Sequence, residues 1–220
     1  MKAVIKVNKI ETPKYVTYRE MVDIVNQLDD YRDKVILMLI FDGFYTKMEE
    51  IQNLKVDQIK DGRHAKYIGD YKISNATLRF IKKAIQEEEI HTYSQFNKGL
   101  DKLIKSDYIV RERQGFTTRG TDTFNGYSMN KQSIINRFAR LKRNYGFTFS
   151  LSSIYASGVI HRLKDKVNLD LPNARAEYIS VAERKEGVKE GMSRLYYKEY
   201  LSMLPRLQAE KESENEREGN

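Results

Sequence analysis

Gln132, Asn136, Arg140 and Arg143 share one side of a segment whose other side is apolar. On the apolar side Ile134, Phe138, Leu141 and Tyr145 repeat at i, i+4, i+7 and i+11, the spacing of a helix face that must meet a core. Glutamine and asparagine carry a paired donor and acceptor, and arginine a two-pronged donor. These are the groups that match base edges and phosphates in a DNA major groove. An ordinary solvated helix face has the same composition, so the surroundings have to decide. From Tyr108 to Lys164 ten basic residues stand against two acids, Glu112 and Asp122, and this segment alone holds the chain's net charge of +8. Arg111, Arg113, Lys131, Arg143 and Lys164 are therefore candidate phosphate contacts, and Arg119 and Arg162 belong to the same basic set. Gln132, Asn136 and Arg140 are the candidate base contacts.

Composition removes several other chemistries. A chain of 220 residues with 40% hydrophobic content can bury a substantial core, and its mean hydropathy of −0.67 suits a soluble protein. There is no cysteine, hence no disulfide, thiol nucleophile or thiolate metal site. His64, His91 and His161 are scattered, so neither a metal nor another cofactor is expected. The longest apolar run, Val35–Phe41, is too short to cross a bilayer, and Met1–Val7 lacks a signal-peptide core. The expectation is a cytoplasmic protein with an anionic partner and no membrane contact.

The elements that would position the polar stripe are mostly helical. Residues 1–16 read as a loose arm containing Pro13. Thr17 and Glu20 form a capping-box pattern ahead of Met21, Ile24, Val25 and Leu28. Tyr31–Phe44 predicts a buried helix, and Asn75–Glu89 an amphipathic one. Between them, 64–68 and 70–73 around Gly69 predict a small β-hairpin. Gln114–Gly126 reads as a mobile loop inside the basic segment. Helices then follow at Ser128–Tyr145, Leu151–Lys166, Ala174–Glu183 and Ser193–Leu204. The acid-rich end, 207–220, reads as a flexible solvated tail. The fold class is mainly α with a small antiparallel β-hairpin or sheet, and 17–206 form one domain.

Three stretches, Arg32–Ile59, Ser128–Gly146 and Phe149–Leu163, resemble in order and spacing the catalytic domain of tyrosine recombinases, the phage integrase family. Glu50-Ile51-Gln52-Asn53-Leu54-Lys55-Val56-Asp57-Gln58-Ile59 is similar to the family's Ser-Glu-Leu turn and its Asn-Leu continuation. Ser128–Gly146 stands where the family places its major-groove helix. The resemblance implies DNA as partner and a tyrosine nucleophile, for which Tyr196, Tyr197 and Tyr200 are the candidates and Tyr197 a possible relic. It also implies a lysine on the hairpin, which Lys66 or Lys72 could supply.

The family's strand cleavage needs two arginines and a His/Lys set around the scissile phosphate. Here Lys47 occupies the first arginine position, and Ser152 and Tyr155 occupy the His-x-x-Arg positions. There is no Trp, and no His after His161, for the later imidazole or indole site. Lys47, Ser152 and Tyr155 are thus degenerate catalytic positions that could still touch DNA. With these departures the chain resembles the recombinase-derived repressors of SPβ-like temperate phages, which occupy operator DNA and hold lysogeny. The expectation is a sequence-specific double-stranded DNA-binding repressor that is not an enzyme. The alternatives are an active recombinase with a divergent site, or a structural or RNA-binding protein with a merely electrostatic basic segment. The helix of Tyr196, Tyr197, Tyr200, Leu201, Met203 and Leu204 could join a homo-oligomer, as the family's last helix does, or pack on its own core.

Overall fold

The apolar run 35–41 becomes the axis of the protein. In the computed structural model, which describes residues 13–63, 65–93, 99–114, 127–167 and 172–218, it lies in helix α2 (Tyr31–Asp42). Every residue of α2 from Arg32 to Phe41 is buried. Helices α4 (Asn75–Ala84) and α6 (Leu151–Leu163) flank it, and α1 (Tyr18–Asn26) leans on the same core. The capping box forms as the sequence predicts: Glu20 N donates to Thr17 Oγ1 and Thr17 N to Glu20 Oε2.

The crossing of α2 and α6 depends on one glycine. A Cβ on Gly158 would stand 1.7 Å from the Phe41 carbonyl oxygen, so no other residue fits without moving the helices. The same carbonyl accepts from Arg162 Nη1 at 2.6 Å, one turn further along α6. Asp42, at the end of α2, accepts from Ser74 N at 2.9 Å and Thr77 Oγ1 at 2.6 Å, which ties it to the N-terminus of α4. Burial pushes this carboxyl up to about 6 against the lowering effect of those bonds.

Gly43, with φ of +123°, turns the chain from α2 into a 3₁₀ turn at Phe44–Lys47 and the short helix α3 (Met48–Ile51). Where the sequence predicts one hairpin there are three antiparallel strands, β1 (Ile59–Asp61), β2 (Lys66–Ile68) and β3 (Tyr71–Ile73). Residues Glu89–His91 (β4) and Leu100–Lys102 (β5) make a second antiparallel pair that the sequence reading placed partly in a helix. Three-residue strands carry too little alternation to be seen in advance. Helix α5 (Lys131–Tyr145) starts at Asn130, whose side chain accepts from Ser133 N, and stops at Gly146 in the left-handed conformation.

Helices α7 (Ala174–Glu186) and α8 (Glu190–Glu218) complete the described chain, and α8 corrects the expectation of a loose tail from 207. Ser193, Tyr196, Tyr200, Met203, Leu207 and Glu210 are all buried, at alternating spacings of three and four that form one inward seam. Glu210 accepts from Arg19 N at 2.6 Å, and Arg206 binds Glu20 at 2.8 Å and the Tyr15 carbonyl at 3.0 Å. The acidic run thus begins as a docked helix end. The arm is shorter than expected too, since Tyr15 and Val16 are buried and Val16 N donates to Ser157 Oγ. Residues 1–12 lie outside the described residues. Among the described residues no helix is long and apolar enough to cross a membrane, and no cluster of His, Asp and Glu has metal-binding geometry.

Candidate nucleic-acid interface

Helix α5 has two kinds of arginine, and the fold separates them. Arg137 lies on the buried arc with Ile134, Phe138 and Leu141. Its Nε is 2.9 Å from Asp33 Oδ1, and its Nη2 is 2.6 Å from both Asp33 Oδ2 and Asp30 Oδ2. Its Nη1 donates to the His91 carbonyl at 2.5 Å. Burial works against the charge, but Asp33 and then Asp30 outweigh it and hold the guanidinium above its ordinary value. This pair fastens α5 to the start of α2. Nearby, Tyr145 donates to Asp29 at 2.7 Å and lies 2.8 Å from the Tyr93 hydroxyl, a second clamp at the C-terminal end of α5.

On the outward arc stand the stripe residues. Gln132 Nε2 donates to Asn136 Oδ1 at 3.0 Å, which leaves the Gln132 amide oxygen and the Asn136 amide nitrogen facing outward from an ordered pair. Both residues are exposed, as is Arg143, whose Nε donates to the Ala139 carbonyl. Arg140 is half-buried, and burial first, then the charges of Arg113, Arg137 and Arg143, push its guanidinium below its ordinary value. A cation crowded by cations gains from an arriving anion. Lys131 sits at the helix start, 2.7 Å from Glu49 of α3.

Other predicted contacts are spent on the fold. Arg111 is a correction: it is buried, and its Nη2 donates to the carbonyls of Ala84 (2.7 Å) and Glu87, capping the end of α4. Arg113 pairs with Asp101 at 2.5 Å and remains half-exposed at the edge of the stripe. Arg162 is held by Glu186 at 2.8 Å and by Phe41 O, and Lys164 lies 3.8 Å from Glu210. Lys66 is 2.7 Å from Asp61 within its own sheet, while Lys72 on β3 is exposed. Arg119 lies outside the described residues.

Two of the degenerate positions, Lys47 and Tyr155, are each held against a tyrosine ring. Lys47 Nζ sits 2.6 Å from the Tyr71 hydroxyl, which donates to Glu50 Oε2 at 2.9 Å, and the bond to Tyr71 raises the ammonium's pKa. Tyr155 is buried and stacks on Tyr45 with centroids 5.5 Å apart, a correction to its reading as a DNA contact. Ser152 is exposed, with its hydroxyl 2.8 Å from that of Ser150. Of the candidate nucleophiles Tyr196 is the one whose electrostatic surroundings are Tyr155, Tyr15 and Tyr45. Burial first, and then those neighbours, push its phenol up to about 12. Tyr197 is half-buried against Tyr178, and Tyr200 is buried on the other side of that ring. Tyr196, Tyr200 and Met203 thus pack on the chain's own core, while Met192, Leu195 and Leu201 are exposed.

A family model described as "MrpR, C-terminal catalytic domain" matches residues 15–203, which takes in α1 through most of α8. The chain belongs to this family. The MrpR domain is a recombinase-type domain, and the helical architecture with small antiparallel sheets fits it. A curated relative, the SPbeta prophage-derived uncharacterized protein YopR of Bacillus subtilis (strain 168), is 23% identical over 219 residues. That similarity covers 86% of this chain and 66% of YopR, so the chain spans just under two thirds of its relative's length. The MrpR match also accounts for the order of the three recognised stretches, since all of them lie within it.

Sequence reasoning missed the Asp30–Asp33–Arg137 lock. Arg137 stands one residue before Phe138 and three after Ile134, at the edge of the apolar arc next to Leu141, and that angular position is the available signal.

Proposed function

We propose that this chain is a phage-type regulator that binds double-stranded DNA in a sequence-specific manner through α5, and that it does not cut the strand it binds. The observation that carries the reading is the sorting of polar groups on α5. Arg137 is consumed by the core, whereas Gln132, Asn136, Arg140 and Arg143 are left outward on a helix clamped at its middle and its C-terminal end. Lys131, Arg113 and Arg143 suit phosphates, and Gln132, Asn136 and Arg140 suit base edges. The relative's prophage origin supports a role in lysogeny, with occupancy of an operator as the act of repression.

The charges around Lys47 and Tyr155 support the absence of cleavage. Lys47 is a point charge bound to Tyr71, not a fork that can hold two phosphate oxygens. Tyr155 places a ring where the family's chemistry needs a guanidinium. Each lost donor of this kind costs about 2.7–4 kcal/mol of barrier. A phenol pushed up to about 12 is also poorly prepared to attack.

The test is recovery of sheared genomic DNA on the full chain at about 150 mM salt, followed by salt titration of the recovered fragments. The reading expects a few discrete fragments whose log affinity falls against log salt by about 0.9 for each phosphate neutralised. Equal recovery of all sequences, or equal binding of duplex RNA, contradicts it. The second reading, an active recombinase, is favoured by the family's description as a catalytic domain and by the seating of Tyr196 beside Tyr155. It requires a covalent adduct lost on a Tyr→Phe change at 196, 197 or 200.

A further inference from the structure

The outward arc of α5 is not uniformly polar. Ile135 is 36% exposed, and Ala139, one turn on, is exposed beside it. At about 100° per residue Ala139 falls near the centre of the arc, and Ile135 lies between it and the lysine edge. Lys131 and Lys142 flank the pair on one side, and Gln132 and Asn136 on the other. A lone surface isoleucine is unremarkable anywhere else. Here the helix is clamped to α2, so Ile135 is held outward between the lysine edge and the amides assigned to base edges. A β-branched residue in an exposed helix interior also gives up helix propensity, which a contact made only in a complex would offset.

We propose that Ile135, with Ala139 beside it, is a specificity-determining residue that packs against the C5-methyl group of a thymine in duplex DNA. The inference rests on the reading of α5 as the DNA-contacting helix and gives that reading a base identity. The thymine methyl is the apolar group that the four base pairs offer on the major-groove floor, and small apolar side chains are what meet it. The neighbouring amides point the same way. Asparagine and glutamine pair with the N6 and N7 edge of adenine, so Gln132, three residues before Ile135 and bonded to Asn136, suits an A·T pair or an A·T-containing step. Lys131 and Lys142 lie toward the opposite rim, where a backbone phosphate would run.

The experiment uses the full chain and a duplex enriched on it from a randomised DNA pool. Each thymine in that duplex is replaced in turn by deoxyuridine, which removes one methyl and leaves the hydrogen-bonding edge unchanged. The wild type should weaken about four-fold at one or two positions, the factor that corresponds to about 0.8 kcal/mol for a single buried carbon. Ile135→Ala should bind the thymine duplex about as weakly and no longer distinguish deoxyuridine there, while melting at the wild-type temperature. Indifference of the wild type to every replacement overturns the assignment. So does an Ile135→Ala variant that keeps the full deoxyuridine penalty. A pool in which no duplex is enriched is a separate failure: it removes the DNA-binding reading itself, and this inference with it.

Discussion

The outward face of α5 and the tyrosine cluster around Tyr155 treat polar chemistry in opposite ways. On α5 an amide pair and two arginines stand on a helix fastened from beneath by Arg137 and Tyr145, so their backbone is held in place and, among the described residues, much of their hydrogen-bonding capacity is unspent. In the tyrosine cluster the family's charged positions are filled by rings or already partnered. Tyr155 stacks on Tyr45, Tyr196 is buried among tyrosines, and Lys47 is bound to Tyr71. A surface that recognises needs ordered groups left open, whereas a site that transfers phosphate needs converging cations. The two regions diverge on that requirement while resting on the same helical core.

Removing the fastening under α5 is the strongest way to break the contrast. Arg137→Ala leaves Asp33 and Asp30 buried without their cation, and should cost about 3–5 kcal/mol in denaturant unfolding. A variant of wild-type stability would mean that α5 is held by something else. Next in size is Gly158→Ala, whose methyl meets the Phe41 carbonyl. It should cost about 3 kcal/mol and weaken binding only through stability.

Two buried titrating groups sharpen the view of the shared core. His161 stacks on Tyr18 at 5.1 Å, and burial, then Lys164 and Arg162, push it down to about 4. Its folded pKa lies below the unfolded one, so its contribution is complete above about pH 6.5 and is lost as pH falls through about 4. Asp42 has the opposite sign. Its folded pKa of about 6 is raised, so stability is lost as pH rises from the ordinary carboxylate range through about 6. Each effect is on the order of 3 kcal/mol, so they nearly cancel between pH 4 and 6. His161→Phe should expose a stability that falls with rising pH in that window, and Asp42→Asn one that rises, both read by thermal melts at fixed pH. Parallel curves for both variants and wild type would contradict the assignment.

Smaller effects belong to the face itself. Arg140→Ala should cost about 1–3 kcal/mol at one base position and relax preference there. Lys131→Ala should instead weaken all sequences alike and reduce the salt slope by about one. Uniform weakening by Arg140→Ala would move it to the phosphate set.

Much of this contrast is legible in the sequence because helices of ten or more residues declare their faces. The buried helix expected at 31–44, which ends at Asp42, the apolar arc of Ile134, Phe138 and Leu141, and the capping box at Thr17 all follow the pattern. Charges that enter the core are not legible from charge alone. Arg111 and Arg137 add to the basic count of 108–164 yet serve helix packing, so the surface is less basic there than the composition implies. Glu210 was assigned to a solvated tail for the same reason. Only its spacing from Met203 and Leu207 shows that it continues a buried seam. Strands of three residues, β1, β4 and β5, offer no periodicity to detect.

The central claim is that this MrpR-family domain holds DNA without breaking it, and the most direct measurement is made on one sample. The full chain is incubated with a nicked duplex carrying its enriched site, and the mixture is divided between native and SDS electrophoresis. The account predicts a shifted band on the native gel and none surviving SDS, with Tyr196→Phe, Tyr197→Phe and Tyr200→Phe indistinguishable from wild type. A protein-linked strand that survives SDS and disappears in one of those three variants would contradict it.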